Sequence, residues 1–193
     1  MNDQSAAKPR GGFLTWSLWG VAAIGAAAVV YIATRPADFH VQRSAQISAP
    51  RDVVFSIIND LHEWEHWSPY DKRDPNMKKT FEGSTEGPGA IYTWNGNSQV
   101  GEGRMTILES KPGELITMKL EFFRPFKGVN QVNFKLEPSE GGTRVSWIMD
   151  GKKNFMTKAM GLFMDMDNMV GKDFEQGLAN LDQVANARTP SLR

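Results

Sequence analysis

The sequence predicts an α+β fold: a seven-stranded antiparallel sheet wrapped around a long carboxy-terminal helix, preceded by one amino-terminal transmembrane helix. Three observations carry that expectation. Phe13 to Thr34 is an unbroken run of 22 uncharged, mostly apolar residues. Beyond it, segments of alternating apolar and polar residues follow one another between short turn sequences. The chain then closes on an amphipathic stretch too long to be anything but helix.

The apolar run comes first. At about 1.5 Å per residue a helix of this length matches a hydrocarbon core of about 30 Å. Trp16 and Trp19 near one end and Tyr31 near the other stand where amphipathic rings favour the membrane interface, and Pro36 ends the helical pattern. The rival reading is a secretory signal peptide cleaved after Ala26-Ala27-Ala28. The run is long for a signal core, and such a cut would leave an apolar stub, so an uncleaved anchor is expected. Lys8 and Arg10 before the span balance Arg35 and Arg43 after it. The short basic tail favours an amino terminus in the cytosol and a domain on the outer face, which for a bacterial inner membrane is the periplasmic side. The expected layout is a tail over 1–12, the span over 13–34, a linker over 35–38, one domain over 39–187 and a tail over 188–193.

The first strand is signalled by Phe39, Val41, Ala45 and Ile47 alternating with polar residues, and it stops at Ser48-Ala49-Pro50. A helix follows, with Pro50 in its first turn and Val53, Val54, Ile57, Ile58 and Leu61 at helical spacing. After a short aromatic stretch, His62 to Pro69, strands are expected near 77–82, 90–95, 99–109, 114–123, 129–137 and 143–150. Gly87-Pro88-Gly89, Asn95-Gly96-Asn97, Lys111-Pro112-Gly113 and Glu140-Gly141-Gly142 between them suit antiparallel hairpins. The closing helix is expected to run unbroken from Asn154 to Ala185.

Composition narrows the function. With 22 basic and 22 acidic residues the chain has no formal net charge, which argues against a nucleic-acid-binding surface. The absence of cysteine removes disulfides and thiolate metal sites. His40, His62 and His66 are too scattered for a zinc cluster, although His62 and His66 share i, i+4 spacing. No metal and no cofactor is therefore expected.

Arg43 to Pro50 with Val54 and Phe55, Asn59-Asp60-Leu61, and Trp64 to Pro69 resemble the opening of the START-like polyketide cyclase/dehydrase and lipid transport family of the SRPBCC superfamily. The likeness continues through Gly87 to Ala90, Trp94 to Asn97, Gly101-Glu102-Gly103, Gly142 to Trp147 and Gly171 to Leu178. The resemblance implies the helix-grip fold, with an apolar cavity between sheet and carboxy-terminal helix, and membrane-anchored bacterial members share the layout read here. It fixes no activity, because the superfamily includes lipid carriers, cyclases and partner-binding modules.

On that frame the expected cavity residues are Arg43, Trp94, Met105, Phe122, Phe134, Trp147, Met149, Phe163, Met166, Val170 and Phe174, and no catalytic residue is assigned. Methionines in the strands and helix suit an irregular or variable apolar guest. Met156, Met160 and Met164 form a second stripe that would line a pocket or touch the membrane. Arg43 shares the alternation phase of Val41, Ala45 and Ile47, and a cation on that face needs a partner or a wet cavity. Glu102, between two glycines in a strand, is read as a solvent-facing residue at a bend rather than as a polar anchor at the cavity mouth. The expected function is a membrane-anchored, non-catalytic module that binds a hydrophobic small molecule or lipid. One alternative is a cyclase/dehydrase-type enzyme using Arg43, Glu102 or Asp150; the other is a protein-interaction module such as those relatives that activate a heat-shock ATPase.

Overall fold

The structure is a computed structural model that describes residues 12–189, with side chains from Leu18 onward. The chain separates after Pro36 into two units. In the first, helix α1 runs over Gly12–Thr34, with apolar residues on every side and exposed at Leu18, Trp19, Val21, Ile24 and Val30. Among the described residues no helix is long and apolar enough to cross a membrane. The side chains of Phe13 to Ser17, which open the expected span, lie outside them, as do the residues before Gly12 and after Thr189.

The second unit is a helix-grip domain. Strand β1 (Asp38–Ile47) leads through helix α2 (Arg51–Asn59), a single turn at Leu61–Glu63, helix α3 (Trp64–Trp67) and a turn at Asp71–Arg73 to six further strands. These are β2 (Lys78–Gly83), β3 (Ala90–Asn95), β4 (Glu102–Lys111), β5 (Leu115–Arg124), β6 (Gly128–Ser139) and β7 (Gly142–Lys152). The sheet order is β1-β7-β6-β5-β4-β3-β2, antiparallel throughout, so β2 to β7 form a meander and β1 returns to pair with β7. Helix α4 (Phe155–Met160) and the long helix α5 (Met166–Arg188) complete the chain.

Alternation along the strands explains which face is covered. On β7, Val145, Trp147 and Met149 are buried, and on β4, Gly103, Met105 and Ile107 are. Helix α5 lays Phe174, Leu178 and Leu181 against that face, with Phe174 stacked on Trp147 at 4.1 Å and 7°. Ser48 donates its backbone N–H to Asp182 at 2.7 Å, tying the end of β1 to α5. Under α2 and α3, Trp64, Trp67, Phe134 and Trp147 form an aromatic core with edge-on contacts near 6 Å, a favourable ring geometry.

The structure corrects two expectations about elements. The closing helix is not continuous: α4 ends at Gly161, and α5 restarts at Asp165, whose carboxylate accepts from the Asn168 N–H at 3.0 Å. That cap satisfies an orphan helix donor, which makes a second start favourable inside a stretch that is amphipathic overall. Consequently Met156, Met160 and Met164 do not form one helical stripe. Strand β4 begins at Glu102 rather than at 99, because the Asn97 side chain accepts from the N–H groups of Gln99 and Val100 and folds a turn there.

Candidate functional site

Between the sheet and α5 lies a cavity of about 400 Å³. Its walls come from β3 to β7 and from the first two turns of α5, and its mouth lies at the strand ends where β7 finishes and β6 begins, beside the exposed Lys127 and Lys152. Local features of the sheet shape this cavity. Gly103 assists, because a Cβ at that position would overlap the Trp94 indole and the Glu121 carbonyl. A register shift between Glu102 and Gly103 marks the bend, which lets Trp94 lie flat across β4.

The wall is aromatic on one side. Tyr92 and Trp94 stack at 5.8 Å, Phe122 meets Trp94 edge-on at 6.0 Å, and the Trp94 N–H donates to the Val100 carbonyl at 3.2 Å. A bonded indole keeps its orientation, so this side of the cavity is held in shape. The rest of the wall is softer, with Met105 and Met149 from the sheet and Met166, Met169 and Val170 from α5.

One end of the cavity is polar but internally paired. Arg73 donates to both carboxylate oxygens of Asp173, and its guanidinium lies 5.3 Å from the Tyr70 ring centre. The Asp173 bond raises the Arg73 pKa against the lowering effect of burial. Burial drives the Tyr70 phenol well above its ordinary range, and the charge of Asp173 adds to that. Beside them Lys79 pairs with Asp71 and, at 3.2 Å, with Glu65. Burial alone would lower the lysine's pKa, but the bond to Asp71 leads the effects that raise it. Asp74, itself buried, accepts the Asn97 N–H at 2.7 Å and fastens the segment after Asp71 to the β3–β4 loop. This end is therefore a stapled wall whose charges are matched.

Of the expected cavity residues, the structure brings together Trp94, Met105, Phe122, Trp147, Met149, Met166, Val170 and Phe174. Arg43, Phe134 and Phe163 lie elsewhere. Arg43 does face α5, but β1 is the sheet edge, and its guanidinium reaches out to Glu175 at 2.9 Å and Asp167 at 3.0 Å. It can do so because it rests on Gly171, where a Cβ would displace it. Phe134 points to the correct face but is fully buried beneath Trp64 and Trp67, away from the cavity. Phe163 is 88% exposed in the turn that separates α4 from α5.

The polar residues considered for chemistry are also committed outside the cavity. Glu102 accepts from Arg124 at 2.5 Å, and Asp150 meets His40 at 2.7 Å. Among the described residues no three His, Cys, Asp or Glu side chains converge as metal ligands.

Sequence reasoning missed Phe39, Tyr70, Tyr92, Leu120 and Val132, which also line the cavity. Tyr92 and Leu120 share the alternation phase of Trp94 and Phe122, so the signal was present. It did not foresee that Phe155, Phe163 and Met169 stand exposed, together with Met156 and Met164 of the stripe expected to line a pocket or touch the membrane.

Comparison with known proteins fits this geometry. A Mesorhizobium loti protein of known crystal structure superposes with a TM-score of 0.57 at 18% identity, covering 78% of this chain and 98% of that one. The Aha1 dimer from Colwellia psychrerythraea gives 0.54 at 12% identity, covering 76% of this chain and 96% of its own. The di-domain ARO/CYC StfQ from the steffimycin biosynthetic pathway gives 0.57 at 11% identity, covering 79% of this chain and 52% of that chain. At such identities the likeness establishes the fold alone. No functionally curated protein matches the chain. The profile of the family described as polyketide cyclase / dehydrase and lipid transport matches residues 38–186, nearly the whole second unit, and the chain belongs to that family.

Proposed function

We propose that the protein is a membrane-anchored binding module that holds a hydrophobic small molecule or lipid in the cavity between its sheet and α5. The observation that carries this reading is the cavity itself: about 400 Å³, walled by aromatic and methionine side chains, with the acids in its wall already paired. Cavities of roughly 300 to 1,000 Å³ with apolar walls are the usual seats of small ligands. An enzyme that worked through an acid in this wall would need that carboxyl group unengaged. Here Asp71 and Asp173 are held by Lys79 and Arg73.

The anchor belongs to the same proposal. Its support is the run of 22 uncharged residues from Phe13 to Thr34 and a helix that is apolar on all sides, a pattern that asks for a non-aqueous surround. The domain would then work at the periplasmic face of a bacterial inner membrane.

The test is a titration of the purified full chain, held in amphipol, with an apolar dye that fluoresces only out of water. Saturable uptake at one site per chain is expected, displaced by single-chain lipids. Absence of saturable uptake would sink the reading. A second reading is favoured by the exposure of Phe155, Met156, Phe163, Met164 and Met169 within one short stretch of chain, since exposed apolar side chains that gather into a patch mark interaction sites. In that case α4 and the turn before α5 would dock a protein partner, and the dye would bind weakly and without saturation.

A further inference from the structure

The cavity wall contains six charged groups that can be sorted by their partners. Asp71 is paired with Lys79, and Asp173 with Arg73. That leaves Lys127, Lys152 and Lys153, which belong to the same wall and have no carboxylate within ion-pair distance among the described residues. The cavity wall therefore carries three lysines that form no ion pair, although Asp38, Asp165 and Asp167 border the neighbouring hollow that Lys153 also lines.

The topology explains why these three meet. Lys127 immediately precedes β6, while Lys152 ends β7 and Lys153 follows it. The β6–β7 register pairs Asn130 with Gly151, so Lys127 comes level with the start of the α4 segment, and Asn154 donates to the Lys127 carbonyl at 3.0 Å. All three lysines thus stand at the same end of the adjacent strands β6 and β7, at the mouth. Lys153 is held over the Phe39 ring at 5.9 Å. Asp38, the strand partner of Lys152, makes no ion pair with it. Asn130, also in the wall, adds a neutral side-chain amide lying against Gly151.

We propose that Lys127, Lys152 and Lys153 receive the anionic head of a single-chain amphiphile whose apolar tail occupies the cavity. This rests on the reading of the cavity as a hydrophobic-ligand site and names the ligand class. The volume sets the tail: at about 30 Å³ for a water-sized group, a cavity of 400 Å³ takes roughly a dozen methylenes and leaves no room for a second chain. The head is set by charge. An ammonium near a carboxylate or phosphate at a half-exposed mouth is attracted more strongly than across open water, and salt weakens that attraction. A carboxylate and a phosphate monoester both satisfy this requirement, as carried by a fatty acid or by a lysophospholipid.

The experiment uses the full chain in amphipol and the displaced apolar dye as readout. Dodecanoate, lauroyl lysophosphatidate and dodecanol are compared on the wild type and on a Lys127→Gln/Lys152→Gln/Lys153→Gln variant. The wild type should bind the anions at least ten-fold tighter than dodecanol at low salt, with the margin shrinking as salt is added. In the triple variant dodecanol should bind as before and the anions no better than it. Whichever anion binds tighter identifies the head. Equal affinity of the wild type for dodecanol and both anions overturns the head assignment while leaving the cavity reading intact, as does a triple variant that keeps the preference. If neither alcohol nor anion displaces dye, the cavity reading has failed and this proposal with it. A triple variant that weakens dodecanol as much as the anions also overturns it, because the lysines then act on the fold rather than on the head.

Discussion

Replacing Val170 by Trp puts added bulk directly into the proposed ligand volume. Val170 sits on α5 within the cavity wall and is only partly covered, so it borders space rather than close-packed atoms. Indole adds seven heavy atoms to the side chain, which at roughly 30 Å³ per water-sized group consumes up to half of the 400 Å³. A bound dye that loses about 60 Å² of apolar contact loses about 1.5 kcal/mol at 25 cal/mol per Å², a ten-fold weaker affinity. The helix itself is indifferent, since Val and Trp have similar helical propensity. Stability should therefore change by less than about 1 kcal/mol, or about 2 to 4 °C in Tm for a domain of this size. Had the site been close-packed, overpacking would cost about 1 to 3 kcal/mol. Leu108→Trp on the exposed bulge of β4 adds bulk outside and should alter neither quantity. Dye titration and thermal melting of the three proteins decide the matter. Unchanged dye affinity in a folded Val170→Trp protein refutes the placement of the site, and a large Tm loss shows that the region was packed core.

Gly103→Ala should destabilise by about 1 to 3 kcal/mol, because its Cβ has to displace both an indole and a backbone carbonyl, whereas Gly128→Ala meets nothing and should be neutral; urea melts compare them. Alkaline pH should destabilise the domain. Tyr70 and Tyr92 are held protonated by burial, and Lys79 is held protonated against burial by its bond to Asp71. A raised folded pKa contributes stability that is present below the unfolded values near 10 and is lost as pH rises through the folded ones. Melts at pH 8 should match those at neutral pH and fall above about pH 10, and stability that holds or rises there contradicts the assignment. A chain beginning at Ala37 should be monodisperse and fold with the same Tm, since the compact unit starts there; its aggregation, while the full chain behaves well in amphipol, would contradict the division.

The sheet was legible because a strand with one covered face must alternate, and the turns between strands carry glycine, proline and asparagine where the chain reverses. The break between α4 and α5 was harder to read. Phe155, Leu162 and Phe163 continue an apolar pattern across it, and the only local signals are Gly161 and the capping Asp165. For the site, alternation tells which face a side chain takes but not how deep it lies. Phe134 and Trp147 share a face and are a cross-strand pair, yet Trp64 and Trp67 of α3 cover Phe134 entirely. Arg43 likewise has the right phase, and its partners Asp167 and Glu175 stand far along the chain, where no spacing rule reaches. The lysines of the mouth escaped notice for the same reason: Lys127 and Lys152 meet only through the β6–β7 register.

The central claim, that the cavity holds an apolar ligand, is tested most directly by native mass spectrometry of the full chain released from its amphiphilic carrier. The account predicts one non-protein adduct per chain, of the mass of a single-chain amphiphile, present in the wild type and reduced in the Val170→Trp variant. A bare wild-type chain that stays bare after incubation with dodecanoate, lauroyl lysophosphatidate and dodecanol would contradict it.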